Sequence, residues 1–277
     1  MGTSLKVGLA QMDCRLGQVG ANLERHLELI DRARDEGVEL LVFPELSLTG
    51  YRLLHLTGRV ALPVDSPAIR RLTDAVSGPG DPSLIFGMVE EDARGVLYNS
   101  AVLVQDGEVR HVHRKLYLPT YGIFQEGRFF GRGEALELAD TEPRGLGLLI
   151  CEDLWHPHLA RSLAVAGARV LVVTSAGPGR IGSGPAPASH TDWEALTRST
   201  ALVNTCWVVY CNRVGWEEGS FYPGGSHVVR PGGEVLARAP FLDENLLVAD
   251  LDLREVDRLR WRLPLVQDVR HDIRGAP

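Results

Sequence analysis

Cysteine is scarce in this chain, and what there is lies scattered. Cys14, Cys151, Cys206 and Cys211 are the four present and form no CxxC pair, which argues against a disulfide framework and against a cysteine-built zinc site. The expectation is a reducing compartment in which Cys151 stays free. Concentrated positive charge is also missing. The formal net charge is -7, and the arginine-rich stretch 254–262 is interleaved with Glu255 and Asp257, so it reads as a solvated helix face. Nucleic acid is therefore not an expected partner. No apolar run is long enough to cross a bilayer, and MGTSLKVGLAQMD enters a strand-like alternation without an apolar leader. Lys6 stands where a myristoylation pattern wants Ser or Thr. A cytoplasmic protein with no membrane partner is expected. Internal repeats, low-complexity linkers and composition breaks are absent too, so 1–277 reads as a single domain.

What is present suits a large core. Hydrophobic residues make up 44% and charged residues 23% of the chain, the balance of an ordinary globular protein. LKVGLAQM predicts a strand, 22–35 an amphipathic helix, and 38–43 a strand stopped by Pro44. Strand, helix, strand is how a parallel βαβ unit begins. A helix is expected at 68–76 and strands at 83–89 and 98–104, the last joined through Asp106-Gly107, a hairpin signal, to 109–112. Helix 157–167, strand 169–174, helix 191–203 and strand 206–212 follow, with a Gly/Pro-rich loop expected over 175–189. The last third reads as antiparallel: 226–230, a Pro231-Gly232-Gly233 turn, 234–238, then 246–251. The sum is an α/β fold with a mixed sheet, or two sheets packed together with helices outside.

Three strand ends carry the residue types that chemistry needs. In GLGLLICEDLWHP the apolar run 147–150 is a buried strand, which makes Cys151 its last residue, at a point where a side chain can face a cleft. On this stretch alone a structural cysteine is the commoner reading. A nucleophilic thiol needs a base or a positive field beside it. His156 and His158 follow closely, but with Asp153 they match no zinc spacing and read as solvated loop histidines. In LLVFPELSLTGY, Glu45 ends an apolar strand between Pro44 and Leu46, where desolvation would suit a general base; a surface glutamate is the alternative. In HRKLYLPTYGIFQEGRFF, which opens at His113, Lys115 is either a snorkelling surface lysine or a buried ammonium that needs a carboxylate and could stabilise an oxyanion.

FPELSLTGY, HRKLYLPTYGIFQEGRFF and GLLICEDLW, in that order, resemble the three catalytic blocks of the nitrilase (carbon-nitrogen hydrolase) superfamily. The likeness extends to VGLAQMD, TSAGP, WEALTRSTALVNTCWVVYCNRVG, GGSHVVRPGGEVLARA and LLVADLDLREVDRLR. Three ordered motifs are far more specific than any one. YGIFQEGRFF and CEDLW are most similar to the glutaminase domain of glutamine-dependent NAD synthetases and its stand-alone amidase relatives. No SGGxDS-type pyrophosphatase loop occurs and no synthetase half follows, so the expectation is a free-standing amidase.

The resemblance implies a four-layer α-β-β-α sandwich and a Glu-Lys-Cys triad. Glu45 would be the general base, Lys115 the oxyanion-stabilising cation and Cys151 the nucleophile, with the backbone N–H of Glu152 as second oxyanion donor. Glu126 would orient the lysine and substrate. Tyr51, Tyr121, Phe124, Glu152, Trp155 and Ser175 fall at or beside substrate-contacting positions, and the long Gly/Pro loop behind Ser175 is distinctive to this chain. The implied reaction is hydrolysis of a small carboxamide, ω-amide or glutamine-like, through a thioester, without metal or cofactor. Nitrile or N-carbamoyl hydrolysis is the near alternative, and an ammonia-supplying subunit of a separate synthetase is the alternative of another class. Thioester-forming N-acyl transfer is disfavoured, because relatives of that type are membrane-embedded. The resemblance also implies a homodimer or higher homo-oligomer paired through 157–167 and 191–203, with 264–274 crossing to the partner.

Overall fold

The computed structural model of the chain describes residues 3–141, 145–180 and 188–270. Its first half builds one sheet. β1 (Ser4–Gln11) leads through α1 (Val19–Asp35) to β2 (Leu40–Val42); α2 (Thr57–Val60) and α3 (Pro67–Asp74) precede β3 (Ser83–Glu91), β4 (Leu97–Gln105) and β5 (Glu108–Arg114). The second half supplies β6 (Leu138–Ala139), β7 (Leu146–Ile150), α4 (Pro157–Ala166), β8 (Val170–Ser175), α5 (Ala188–Asn204) and β9 (Trp207–Asn212). Then come a ribbon of β10 (Val214–Glu217) and β11 (Ser220–Pro223), followed by β12 (His227–Val229), β13 (Val235–Arg238), β14 (Asn245–Asp252) and α6 (Arg254–Arg262).

Strand order is β14-β1-β2-β3-β4-β5 in one six-stranded sheet and β13-β12-β9-β8-β7-β6 in the other. Both are mixed. β1-β2-β3 and β7-β8-β9 are parallel, as their helical crossovers require, while the outer strands pair antiparallel. The β4–β5 hairpin turns through Asp106 and Gly107 at φ 54° and 74°, the left-handed pair that an Asp-Gly dipeptide favours.

Side-chain alternation sorts the layers. Val7, Leu9, Leu40, Val42, Ile85, Ala101 and Leu103 share a core with β7, β8, β9 and β12. Their neighbours Ala10, Leu41, Phe43, Leu84, Phe86 and Val102 pack with α1 and α3. In the second sheet Trp207 donates its indole N–H to Asp252 O on β14 at 3.3 Å, and Cys211 Sγ lies 3.2 Å from Val42 O on β2, so these side chains face the first sheet. Tyr210 faces the other way, its ring 4.9 Å from that of Trp193 on α5. Helices, sheet, sheet, helices is the four-layer α-β-β-α arrangement.

Several sequence boundaries shift. α1 begins at Val19, and α5 begins at Ala188, so the expected loop 175–189 gives up its last two residues to helix and its first to β8. Within that stretch, 181–187 lie outside the described residues, as do 271–274 of the expected tail. β7 ends at Ile150 and Cys151 is the first residue beyond it. No helix among the described residues is long and apolar enough to cross a membrane.

α1 also anchors the segment that follows β2. His26 is fully buried, stacks on Phe43 at 4.1 Å, donates from Nδ1 to Asn22 O at 2.7 Å and accepts the Ser47 hydroxyl at Nε2, 2.9 Å away. Burial pushes its pKa down to about 4 from the ordinary 6.5. The unfolded chain therefore takes up this proton below pH 6.5 while the folded chain resists until about 4, so stability is complete above that window and falls as pH drops through it. Urea titrations of the wild type and His26→Gln at pH 7 and pH 5 test this. The wild type should lose about 2 kcal/mol more than the variant over that step; equal losses would show that His26 is not responsible.

Candidate active site

Glu45, Lys115, Cys151 and Glu126 come from four segments and meet in one buried cluster. Glu45 lies beyond β2, where the chain folds back on itself: Leu46 has φ 50°, and Leu48 N donates to Gly87 O at 3.0 Å. Gly87 on β3 makes this approach possible, because a Cβ there would sit 2.1 Å from Leu46 N and 2.8 Å from Pro44 O. Lys115 follows β5 directly and is pinned by backbone bonds to Asn99 O and from Gly133 N, both 2.9 Å. Cys151 opens a short 3-10 turn, Cys151–Trp155, at φ 44°. A left-handed conformation is uncommon for a residue with a side chain and marks a tightly constrained turn.

Lys115 Nζ donates to Glu45 Oε1 at 2.7 Å and to Glu126 Oε1 at 2.6 Å. All three side chains are essentially inaccessible to solvent. Glu45 also accepts the Asn99 amide at 2.8 Å and, on its other oxygen, the Ala176 N–H at 2.8 Å. The neighbouring Ser175 donates its hydroxyl to Cys151 Sγ at 3.4 Å and receives that of Tyr210 at 3.3 Å. The end of β8 thus holds Glu45 by its backbone and the thiol by a side chain. Tyr51 donates its hydroxyl to Glu126 Oε1.

Burial alone would lower the Lys115 pKa, but the Glu126 and Glu45 carboxylates outweigh it and hold the amine well above its usual range. Burial, reinforced by Glu45 and opposed by Lys115, raises the Cys151 thiol far above its ordinary value. The resting sulfur is therefore a thiol, and making it a nucleophile requires a base at the moment of attack. Burial also lifts Glu126 to about 7 against the pull of Lys115; its Oε2 has no hydrogen-bond partner among the described residues.

Asp153 joins the lysine block to the cysteine block. This fully buried carboxylate accepts Leu116 N and Tyr117 N at 3.0 Å each, Ile150 N at 3.1 Å and His113 Nε2 at 3.0 Å. His156 stacks on Tyr117 at 3.3 Å, and His158 Nε2 is 3.2 Å from the Tyr117 hydroxyl. His156 is thus half-buried on the Tyr117 ring, whereas His158 stays exposed to solvent beside it. No group of three His, Cys, Asp or Glu side chains among the described residues is arranged to hold a metal.

A cavity of about 640 Å³ opens onto Cys151. Tyr121, Phe124, Glu152 and Trp155 line it, with the Tyr121 hydroxyl donating to Glu152 Oε2 at 2.8 Å. Tyr51 and Ser175 lie behind the cluster instead, as partners of Glu126 and Cys151. The sequence reading missed Asn99, Tyr210 and the cavity residues Trp193, Trp216 and Phe221. For the last two a signal existed: VGWE and SFYP flank Glu218-Gly219, a two-residue hairpin turn at φ 48° and 74°.

Residues 6–260 match the carbon-nitrogen hydrolase family. The chain belongs to that family. Among its relatives, the glutamine-dependent NAD(+) synthetase of Thermotoga maritima is 34% identical over 254 residues, which are 91% of this chain and 42% of that protein. The chain thus spans less than half the length of that synthetase. The carbon-nitrogen hydrolase of Helicobacter pylori G27 superposes with a TM-score of 0.86 at 27% identity, covering 98% of this chain and 97% of that one. A variant of the amidase from Nesterenkonia sp. AN1, with the acetamide moiety of fluoroacetamide covalently added at its active-site cysteine, superposes with a TM-score of 0.80 at 25% identity; the coverage is 96% and 94%. As a family member the chain is an amidohydrolase acting on carbon-nitrogen bonds.

The close approach at Gly87 gives a direct test of how this site is held. Gly87→Ala forces a methyl into the backbone of Leu46, which cannot yield as a side-chain tip would. A loss of about 3 kcal/mol in denaturant unfolding is expected. A variant as stable as wild type would mean that the Glu45 segment is loosely seated.

Proposed function

We propose that the protein hydrolyses a carboxamide to carboxylate and ammonia through a thioester on Cys151. The observation that carries this reading is the buried Lys115 ammonium between Glu45 and Glu126, at the mouth of whose cluster a protonated thiol faces a cavity. Glu45 takes the thiol proton as sulfur attacks the amide carbon. The carbonyl π electrons move to oxygen, where Lys115 Nζ and the backbone N–H of Glu152 receive the negative charge. Collapse breaks the C–N bond, and the proton held by Glu45 leaves with ammonia. Water then gives a proton to Glu45 and attacks the thioester; the proton returns to sulfur as the acid departs. Amide and water go in, acid and ammonia come out, and every group is restored.

Glu126 keeps Lys115 aimed, and Tyr51 keeps Glu126 aimed. The same machinery would accept a nitrile or an N-carbamoyl group. The amide is preferred because the similar Nesterenkonia protein is an amidase whose cysteine takes up an acetamide moiety. Similarity to NAD(+) synthetases over this region also supports ammonia release, whether free or delivered to a separate synthetase.

Ammonia release from a panel of amides, N-carbamoyl compounds and nitriles, followed beside Cys151→Ala, tests the assignment. Cys151→Ala and Glu45→Gln should each lower kcat/KM by at least about 10³-fold, and intact mass should show an acyl adduct on wild-type Cys151. A panel that yields no ammonia above the Cys151→Ala background would sink the proposal. The pH profile offers a second check. With Glu126 lifted to about 7, its carboxylate forms only as pH rises through that value, so activity should climb across it. Glu126→Gln should abolish that step as well as lower the rate; a step that survives the substitution belongs to another group.

A further inference from the structure

The cavity is larger and more aromatic than a short amide needs. Its volume of about 640 Å³ falls in the ~300–1,000 Å³ range that takes a drug-sized ligand. A second groove of about 520 Å³ continues past Trp155, Arg180 and Asp192 over Ala195 and Leu196 of α5. Two aromatic groups flank a narrow backbone strip. Trp155 meets Trp193 edge-on at 5.5 Å, and Trp193 lies 4.9 Å from Tyr210. Trp216 lies 5.3 Å from Phe221 on the β10–β11 ribbon. Between them runs Gly177-Pro178-Gly179. A Cβ on Gly177 would come within 2.9 Å of the Trp193 indole nitrogen, and one on Gly179 within 2.1 Å of the Phe221 ring. The glycines let both rings close onto the strip, which is further tied to the ribbon by Gly179 N donating to Phe221 O at 2.7 Å.

Trp193 and Tyr210 are buried, but the outer rings are not spent on packing. Trp216 is 70% exposed, Tyr121 58% and Trp155 44%, so a ligand in the cavity would cover large apolar faces that now meet water. The charges in the lining point the same way. Among the described residues its one cation, Arg180, is paired with Asp192. Glu152 contributes a carboxylate already engaged by Tyr121. A substrate carrying its own carboxylate would enter beside Glu152 and, among the described residues, could gain a cation only by drawing Arg180 from Asp192.

We infer that the acyl group of the substrate carries an uncharged aromatic ring, seated against Trp155, Trp216 and Phe221 with its carboxamide reaching Cys151. This rests on the carboxamide reading above and narrows it to arylalkyl amides, away from short aliphatic amides and amino-acid amides such as glutamine. Trp216 and Trp155 are then specificity-determining residues.

The test compares kcat/KM, by ammonia release, for 3-phenylpropanamide and indole-3-acetamide with propanamide and L-glutamine. The aryl amides should lead propanamide by about tenfold or more, and Trp216→Ala and Trp155→Ala should each shrink that ratio several-fold. Propanamide or glutamine turned over as well as the aryl amides would overturn the inference, as would a ratio that neither tryptophan variant moves. Calorimetric binding of the same four compounds to Cys151→Ala separates this inference from the reaction assignment. Aryl amides that bind more tightly than propanamide there, yet yield no ammonia with the wild type, keep the cavity assignment and remove the hydrolase reading. Equal or undetectable binding of all four removes the cavity assignment.

Discussion

A lysine ammonium buried between two glutamates, all three closed off from solvent, is the constraint on which the rest of this structure depends. Three ionisable groups taken out of bulk solvent cost several kcal/mol each in lost hydration, and their attraction offsets that cost only when geometry is good and the remaining lone pairs are satisfied. The fold meets that demand for Glu45 through Asn99 on β4 and the Ala176 N–H beyond β8, so one carboxylate draws on both sheets. Glu126 is less fully satisfied, with one oxygen unpaired among the described residues. Burial lifts Glu126 to about 7 against the pull of Lys115.

Such a cluster cannot be made by one sheet. Glu45 and Lys115 follow strands of the first sheet, and Cys151 and Ser175 belong to strand ends of the second, so the reacting groups are only as well registered as the two sheets are. Asp153 fixes that registration. By accepting two N–H groups from the lysine segment and one from the end of β7, it ties the second-sheet turn to the first-sheet loop across the site. A rigid joint of this kind is what a cavity-facing thiol at positive φ requires, since the turn would otherwise relax away from it.

How much of this the sequence displayed depended on the range of the interaction. Strands, crossovers and the Asp106-Gly107 hairpin were legible because periodicity and turn chemistry are local. Glu45, Lys115 and Cys151 stood out because each follows an apolar run in an ordered block, and their resemblance to a known family gave them a common context. Asp153 was readable only as an acid near two histidines, since the backbone N–H groups that claim it lie more than thirty residues upstream. Asn99 looked like any polar residue in a strand, and nothing beside it in the chain says that its amide meets a glutamate 54 positions away. Residues satisfied by distant partners leave little trace in their own neighbourhood.

The β10–β11 ribbon shows what such hidden long-range contacts do. Its alternation sends Trp216 and Phe221 toward the cavity, while Glu217 and Tyr222 are buried on the opposite side against the Tyr51 segment. Glu217 accepts the backbone N–H of Tyr51 at 3.0 Å and is itself held by the buried Arg213. From Tyr51 the chain of contacts continues to Glu126 and Lys115. One two-stranded element therefore has a substrate-facing side and a side that braces the lysine's second carboxylate. A carboxylate at Glu217 can do this because it accepts several donors at once, whereas a neutral amide would have to turn its NH₂ toward one of them. The ribbon's position is thus set by the buried charges behind it, and those charges in turn fix the wall that the substrate meets.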